Sequence, residues 1–218
     1  MKILGIDEAG RGAIIGPLVI GGVLVDKRGE KQLIKIGVKD SKELSPKKRE
    51  LLYKKIRKIA KDYITLKIPA KEIDELRKRI NLNRIEAEKM AQIIKVMKAD
   101  VAYVDTPQVS TEKFKAVLLA LAKNKTKIIC ENYADVKYPV CSAASILAKV
   151  ERDKEIERIK KIVNYDIGVG YSHDYKSIEF VKKCLAEKKH LEFIRHSWIT
   201  TIALKKKREQ KTLKEYNK

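Results

Sequence analysis

The sequence predicts an α/β fold, a mixed sheet with helices on both faces followed by a helical C-terminal extension. Two observations carry that expectation. Two apolar segments of strand length, Lys2–Asp7 and Leu18–Val25, open the chain. They are joined by the glycine-bearing stretch Glu8–Pro17 and read as a hairpin-like pair. Beyond them, short strand-like segments alternate with segments of helical spacing, the pattern of a sheet covered by helices.

The elements follow in order. Ser45 is placed to cap a helix with Pro46 at its first position, running to about Lys61. Tyr63–Ile68 alternates as a strand. Glu72–Arg79 and Arg84–Lys98 have helical spacing, the latter through Ile85, Met90, Ile93, Ile94 and Met97. Asp100–Asp105 is a strand that ends in an acid, as the first one does. Thr111–Lys123 is a helix and Thr126–Cys130 a strand. Ala143–Val163 forms a long helix, with further helices near Ser177–Glu187 and Thr200–Tyr216. No internal repeat or linker-like composition interrupts the 218 residues.

Composition narrows the class. A chain of this length can bury a core without disulfides, and 44% hydrophobic with 36% charged residues suits a globular protein. No apolar run approaches the roughly 18–20 residues that cross a bilayer. The chain enters the apolar Ile3-Leu4-Gly5-Ile6 at once, with no secretory leader pattern, so an intracellular, cytoplasmic location is expected. Cys130, Cys141 and Cys184 are odd in number and far apart, and read as small buried apolar residues rather than zinc ligands or bridges. Fifty basic against 29 acidic residues give a formal charge of +21. Residues 205–218 contribute +5 of it, which leaves +16 in the body of the chain. Such an excess favours a polyanion such as nucleic acid. A Lys- and Glu-rich thermophile surface is the alternative.

The candidate chemistry lies in carboxylates. Asp7, with Glu8 beside it, and Asp105 end two strands, and Asp135 lies in the segment Tyr133–Pro139, read as a loop. If the first and fourth strands are neighbours, their terminal acids converge where sites form in α/β sheets. Clustered carboxylates repel one another and resist desolvation. Mg²⁺ or Mn²⁺ relieves this, since hard cations prefer carboxylate oxygens. Two such ions about 4 Å apart serve phosphodiester hydrolysis. Because successive strand residues face opposite ways, the first strand is expected to end between Asp7 and Glu8. An acid pair at a strand end is also consistent with solvated surface. Gly10-Arg11-Gly12 would let backbone approach a sugar while Arg11 reaches a phosphate or braces a carboxylate; otherwise it is only a turn. Tyr171, after Gly168-Val169-Gly170, offers a ring to stack on a sugar or base, or packs its own loop. The three histidines are not needed for this chemistry, Trp198 suits packing, and Lys205–Arg208 forms a basic helical face.

Taken together, several segments resemble ribonuclease HII, the type 2 ribonuclease H family, in its archaeal-like form. They are Gly5-Ile-Asp-Glu-Ala-Gly-Arg-Gly12, Asp40-Ser-Lys-Glu-Leu44, Asp105 and Tyr138-Pro-Val-Cys-Ser-Ala-Ala-Ser-Ile-Leu-Ala-Lys149, with Gly168-Val-Gly-Tyr171 and Arg195-His-Ser-Trp198. The first and the Tyr138–Lys149 segments are highly specific. The chain departs from the family pattern after Tyr171, where Ser172-His173-Asp174-Tyr175 stands in place of Pro-Ser-Asp-Pro.

The resemblance implies a ribonuclease H-like fold with a five-stranded mixed sheet, residues 1–175 forming the catalytic domain and 176–218 a helical substrate-binding extension. It implies that Asp7, Glu8, Asp105 and Asp135 hold Mg²⁺ or Mn²⁺, and that the backbone of Gly10, Arg11 and Gly12 senses a ribose 2′-OH. Tyr171 would pack on the following deoxyribose, and Lys42 with Ser142 or Lys149 would meet phosphates. The implied activity is hydrolysis of RNA in RNA–DNA hybrids and cleavage 5′ to ribonucleotides embedded in DNA duplexes, leaving 5′-phosphate and 3′-hydroxyl ends, in replication and repair. A monomer is expected. Gln210, Leu213 and Tyr216 resemble part of a sliding-clamp-binding peptide, without its second aromatic. Two other readings remain open: a transposase- or resolvase-like nuclease of the same fold, and a non-catalytic RNA-binding protein of ribosomal type.

Overall fold

The computed structural model describes residues 1–38, 44–107 and 110–216, with side chains described as far as residue 210. The chain forms two compact units. The first comprises residues 1–9, 19–67 and 80–151; the second comprises 10–18, 68–79 and 152–218.

The first unit holds β1 (Lys2–Ala9), β2 (Leu18–Asp26, all but its first residue), α1 (Lys27–Lys35), α2 (Pro46–Ile59) and nearly all of β3 (Asp62–Ile68). α3 (Ala70–Arg77) belongs to the second unit. The first continues with α4 (Leu82–Met97), β4 (Val101–Asp105), α5 (Thr111–Ala122), β5 (Lys127–Glu131), α6 (Ala134–Lys137) and the start of α7 (Pro139–Val163). The strands order as β3-β2-β1-β4-β5 in one five-stranded sheet. β1 runs antiparallel to β2 and parallel to β4, and β4 parallel to β5. The sheet is therefore mixed, and β1 and β4 are neighbours that point the same way.

Side-chain alternation sorts the two faces of β1. Ile3 joins Val140, Cys141 and Ala144 of α7 in a buried cluster, while Leu4 faces the side on which Ile93 of α4 lies against Gly22. Helices therefore cover both faces. Several residues in that cluster are fully buried Val, Ile and Leu, each worth roughly 1.5–3 kcal/mol of transfer free energy.

Sequence cues account for most boundaries. Ser45 accepts a hydrogen bond from the Lys48 amide with Pro46 opening α2, as expected. α7 begins four residues before the expected Ala143, since Pro139 serves as its opening residue and the Tyr138 carbonyl accepts from the Cys141 and Ser142 amides. α1 was not anticipated, because Leu33 and Ile34 alone give no helical apolar stripe. Its signal is the Asp26 cap. The Asp26 carboxylate accepts from the Gly29 amide at 2.8 Å and pairs with Lys61 at 2.9 Å.

These partners, the Gly29 amide first, hold the Asp26 carboxyl down at about 2. A depressed carboxylate stabilises the fold above its unfolded value and loses that contribution as pH falls through the folded one. Asp26→Asn should melt below wild type at neutral pH. The gap should close between pH 3.8 and about 2, and thermal melts across that window check it.

The second unit holds the loop 10–18, α3, the remainder of α7, α8 (Tyr175–Glu187), a 3₁₀ turn Leu191–Phe193 and α9 (Ile199–Tyr216). Residues 176–218 all fall within it. Ile14, Ile15, Ile156, Ile159, Phe180 and Ile194 belong to its own buried cluster. Asp74 of α3 ties down the segment before α9, accepting from the amides of His196 and Ser197 at 2.7 and 2.9 Å and from the Ser197 hydroxyl at 2.6 Å. All three cysteines are buried and free. Among the described residues no helix is long and apolar enough to cross a membrane.

Candidate active site

Among the expected carboxylates, Asp7, Asp105 and Asp135 interact within the first unit. β1 and β4 pair up to Ile6 and Val104, so Asp7 and Asp105 come next on adjacent parallel strands. Asp105 accepts a hydrogen bond from the Ala134 amide at 2.7 Å, which fixes the first turn of α6 against the end of β4. The next residue, Asp135, is 3% exposed and sits in that first turn. It was expected in a loop. The short helix forms where Tyr133 turns the chain with φ 59° and the Tyr138 amide closes back on Ala134.

Asp7 is 4% exposed, and its carboxyl is pushed well above the ordinary carboxylate range. Burial is the first cause and the charge of Asp105 the second, with Asp135 adding to both. Hydrogen bonds from Ser145 and the Glu8 amide oppose them. Burial first, and then the charges of Asp7, Asp105 and Asp135, push up the Cys141 thiol on α7.

Glu8 behaves differently. β1 does not end between Asp7 and Glu8. Pairing with β4 stops at Ile6, yet pairing with β2 continues through Glu8 with Ile20 and Ala9 with Val19. Gly21 pairs with Asp7 and faces Ala144 of α7, so Asp7 shares the α7 face and Glu8, one residue on, takes the opposite one. Its amide donates to Asp7 Oδ1 at 2.7 Å. Among the described residues no group of three or more His, Cys, Asp or Glu side chains is placed to hold a metal ion as the side chains stand. Asp7 and Asp105 each turn one oxygen to a backbone amide instead.

α7 supplies the remaining polar groups. Ser145 hydrogen-bonds Asp7. Lys149, one turn further, is half-buried. The Ser142 hydroxyl is buried and donates to the Val38 carbonyl, tethering the chain just ahead of residue 39. Lys42 lies outside the described residues, as do the side chains of Leu213 and Tyr216; Gln210 is exposed on α9.

The glycine loop and Tyr171 are organised within the second unit. The amides of Ile14 and Ile15 donate to the Gly170 carbonyl at 2.9 and 3.1 Å, and Ala13 bridges Tyr171. Arg195, fully buried, donates through Nη1 to the Arg11 carbonyl and through Nε to the Gly16 carbonyl, both at 3.0 Å. One guanidinium thus holds both ends of the loop, while Trp198 lies 4.7 Å from Arg195 and 4.7 Å from Arg77. Gly10 has φ +83°, a conformation that glycine adopts freely. Gly12 has open space where a side chain would be. Tyr171 lies half-buried, its ring 4.6 Å from the Arg152 guanidinium and 5.5 Å from His173. Arg208, in the basic run, donates to the Leu185 and Ala186 carbonyls at the end of α8.

Sequence reasoning did not single out Ser145, Arg152 or the loop-holding role of Arg195. Arg152 had a signal. It falls on the stripe of Ala148, Ile156 and Ile159, where α7 is otherwise apolar and buried.

A mixed five-stranded sheet with acids gathered at the ends of two adjacent parallel strands defines an α/β protein of the ribonuclease H-like class. Comparison with known proteins agrees. The profile of the family described as Ribonuclease HII matches residues 4–201. Ribonuclease HII of Methanosphaera stadtmanae is 46% identical over 209 residues, 95% of this chain and 97% of its own length. The crystal structure of the ribonuclease H2 from Pyrococcus horikoshii superposes with a TM-score of 0.87 at 38% identity, covering 95% of this chain and 98% of that one. The structure of a PCNA:RNase HII complex from Archaeoglobus fulgidus gives a TM-score of 0.85 at 41% identity, covering 91% and 95%. The chain belongs to the ribonuclease HII family. Its activity is that of a ribonuclease H, hydrolysis of the RNA strand in RNA–DNA hybrids.

Proposed function

We propose that this ribonuclease H also cuts 5′ to ribonucleotides embedded in DNA duplexes, leaving 5′-phosphate and 3′-hydroxyl ends, with Asp7, Asp105 and Asp135 as metal ligands and Glu8 as the fourth, reaching round the edge of β1 that is open once pairing with β4 has ended at Ile6. The observation that carries the reading is the burial of Asp7 beside Asp105 and Asp135. Like charges held out of water destabilise a fold unless a cation neutralises them. An all-carboxylate donor set fits Mg²⁺ or Mn²⁺. Bound there, a pair of divalent ions would supply positive charge for the attacking water and the departing 3′-oxygen.

The chain's own residues hold and select. The Glu8 amide and Ser145 fix the orientation of the Asp7 carboxylate, and the Ala134 amide fixes Asp105. The Gly10-Arg11-Gly12 backbone senses the 2′-OH that separates RNA from DNA. Tyr171 packs on the following deoxyribose, so that an RNA-to-DNA junction is read. Lys149 and Lys42 neutralise phosphates, in keeping with the +21 charge. Residues 176–218 extend the substrate-binding surface. The protein acts as a cytoplasmic monomer in ribonucleotide removal during replication and repair. A sliding clamp engages Gln210, Leu213 and Tyr216, a reading supported by the PCNA-bound relative.

One assay tests the function. A DNA duplex with one ribonucleotide, an all-DNA duplex and a continuous hybrid are each incubated with Mg²⁺, with Mn²⁺ and with chelator. Metal-dependent cutting of the first and third alone is expected. Cutting of the all-DNA duplex, or cutting in chelator, would overturn the reading.

Gly12 separates recognition from folding. A Cβ there meets nothing within 4 Å, so Gly12→Ala should keep stability within about 0.5 kcal/mol of wild type. A methyl between backbone and sugar should still lower kcat/KM on both RNA-containing substrates by about tenfold or more. An unaffected rate would remove the ribose-sensing role from this residue.

A further inference from the structure

The second unit buries one arginine whose placement the fold alone does not explain. Arg152 of α7 is 0% exposed. Its Nε and Nη2 have no hydrogen-bond partner among the described residues, and Nη1 lies 3.6 Å from the Asp153 carboxylate. Taking a guanidinium out of water and leaving its donors unmade is unfavourable, and an apolar side chain of similar volume fills such a space at lower cost. The flanking positions on the same stripe, Ile156 and Ile159, are filled in that way.

What surrounds Arg152 suggests why a guanidinium stands there. Its centre lies 4.6 Å from the Tyr171 ring. A Cβ on Gly10 would come within 3.3 Å of Arg152 Cγ and 3.4 Å of Nε, and one on Gly170 within 2.6 Å of Nη2. Both glycines have φ +83°. The Gly170 carbonyl in turn accepts from the Ile14 and Ile15 amides. One flat cation is therefore packed against the start of the glycine loop, against the residue preceding Tyr171 and against the Tyr171 ring itself. A guanidinium on an aromatic face is both attractive and directional, and a flexible ammonium or an aliphatic chain does not reproduce its plane.

We infer that Arg152 is a positioning residue for substrate selection, setting the Tyr171 ring, and with it the glycine loop, in the orientation that reads the RNA-to-DNA junction. It does not touch substrate and acts through Tyr171. The inference rests on the junction-reading role proposed for Tyr171.

The test is a double-mutant cycle on Arg152→Met and Tyr171→Ala, with Arg152→Lys as the conservative variant. kcat and KM are measured on a duplex with one ribonucleotide and on a continuous hybrid. The readout is the ratio of the two kcat/KM values, which cancels any loss of folded enzyme. A purely structural role lowers both values together and leaves the ratio alone.

Arg152→Met should lower the ratio about five- to tenfold, between the exposed and the fully desolvated scale of a cation–aromatic contact. Arg152→Lys should restore part of it. Tyr171→Ala should lower the ratio at least as far, and adding Arg152→Met to that variant should change nothing more. An unchanged ratio in Arg152→Met overturns the inference, as does a double variant whose ratio falls by the product of the single effects. Tyr171→Ala with a wild-type ratio overturns the Tyr171 reading itself, and the two failures are distinct.

Discussion

Asp7→Asn should reduce cleavage of an RNA–DNA hybrid by about a thousandfold or more, on the order of 4 kcal/mol in transition-state free energy, while the folded protein becomes more stable in chelator. Both effects have one origin. Asp7 lies buried next to Asp105 with Asp135 close enough to raise its carboxyl pKa further. Without a cation the three repel, and an uncharged amide of the same size relieves that repulsion. The substituted side chain also keeps an oxygen to accept from the Glu8 amide, the 2.7 Å contact that orients the carboxylate in the wild type. A gain on the order of 1 kcal/mol is expected, or roughly 2–4 °C in Tm for a chain of this size. The gain should shrink or reverse when Mg²⁺ or Mn²⁺ is added, because the metal stabilises the wild type by binding only its native state. Single-turnover cleavage and melting curves with and without metal check both halves. A variant with wild-type rates would remove Asp7 from the chemistry. Loss of activity together with loss of stability in chelator would make Asp7 a structural carboxylate.

Much of this site is legible from residue order alone. β1, β2, β4 and β5 are short apolar runs bounded by polar or glycine-rich segments, and the acids at the ends of β1 and β4 need only adjacency to meet. That adjacency is a matter of sheet order, which no local pattern states. The resemblance supplied a mixed five-stranded sheet, and the structure shows β1 beside β4.

What escaped is what neighbours decide. β1 was expected to stop after Asp7, because both acids cannot face one way from a regular strand. β2 extends it to Ala9 all the same, since antiparallel pairing persists after parallel pairing with β4 has ended. Asp135 was assigned to a loop because a single helical turn has no period to detect; it depends on the left-handed Tyr133 and the Tyr138 amide closing onto Ala134. Arg195 entered only as part of a quoted segment and Arg152 not at all, in a chain with 50 Lys and Arg. Their roles rest on contacts to residues far away in sequence, such as Gly16, 179 positions before Arg195.

The largest expected effect on folding comes from Gly5, a residue with no proposed part in the chemistry. β1 faces the first turns of α7, and Gly5 is where the two backbones meet. A Cβ built on it would stand 2.3 Å from both the carbonyl carbon and oxygen of Val140 and 2.5 Å from the Cys141 amide nitrogen. These are backbone atoms in a helix, so no rotamer change relieves the overlap. Either α7 or β1 must move. The Cys141 thiol donates to the Tyr103 carbonyl of β4 at 3.2 Å, and a Cβ on Gly21 of β2 would likewise stand 2.5 Å from the Ala144 carbonyl oxygen, so the helix is seated at several points and resists sliding. Overpacking a close-packed core by one methyl commonly costs about 1–3 kcal/mol. The backbone character of this contact places Gly5→Ala at or above the top of that range, a Tm lower by roughly 6–12 °C. Activity should fall with it. Ser145 lies one turn beyond Cys141, and a displaced α7 withdraws its hydrogen bond from Asp7. Gly12→Ala, which meets open space, should show the reverse pattern of normal melting and poor cleavage. Melting curves and hybrid cleavage rates for the two variants side by side decide the matter. A Gly5→Ala protein that melts with wild type would mean that β1 and α7 are not in the close contact on which the Asp7–Ser145 geometry depends.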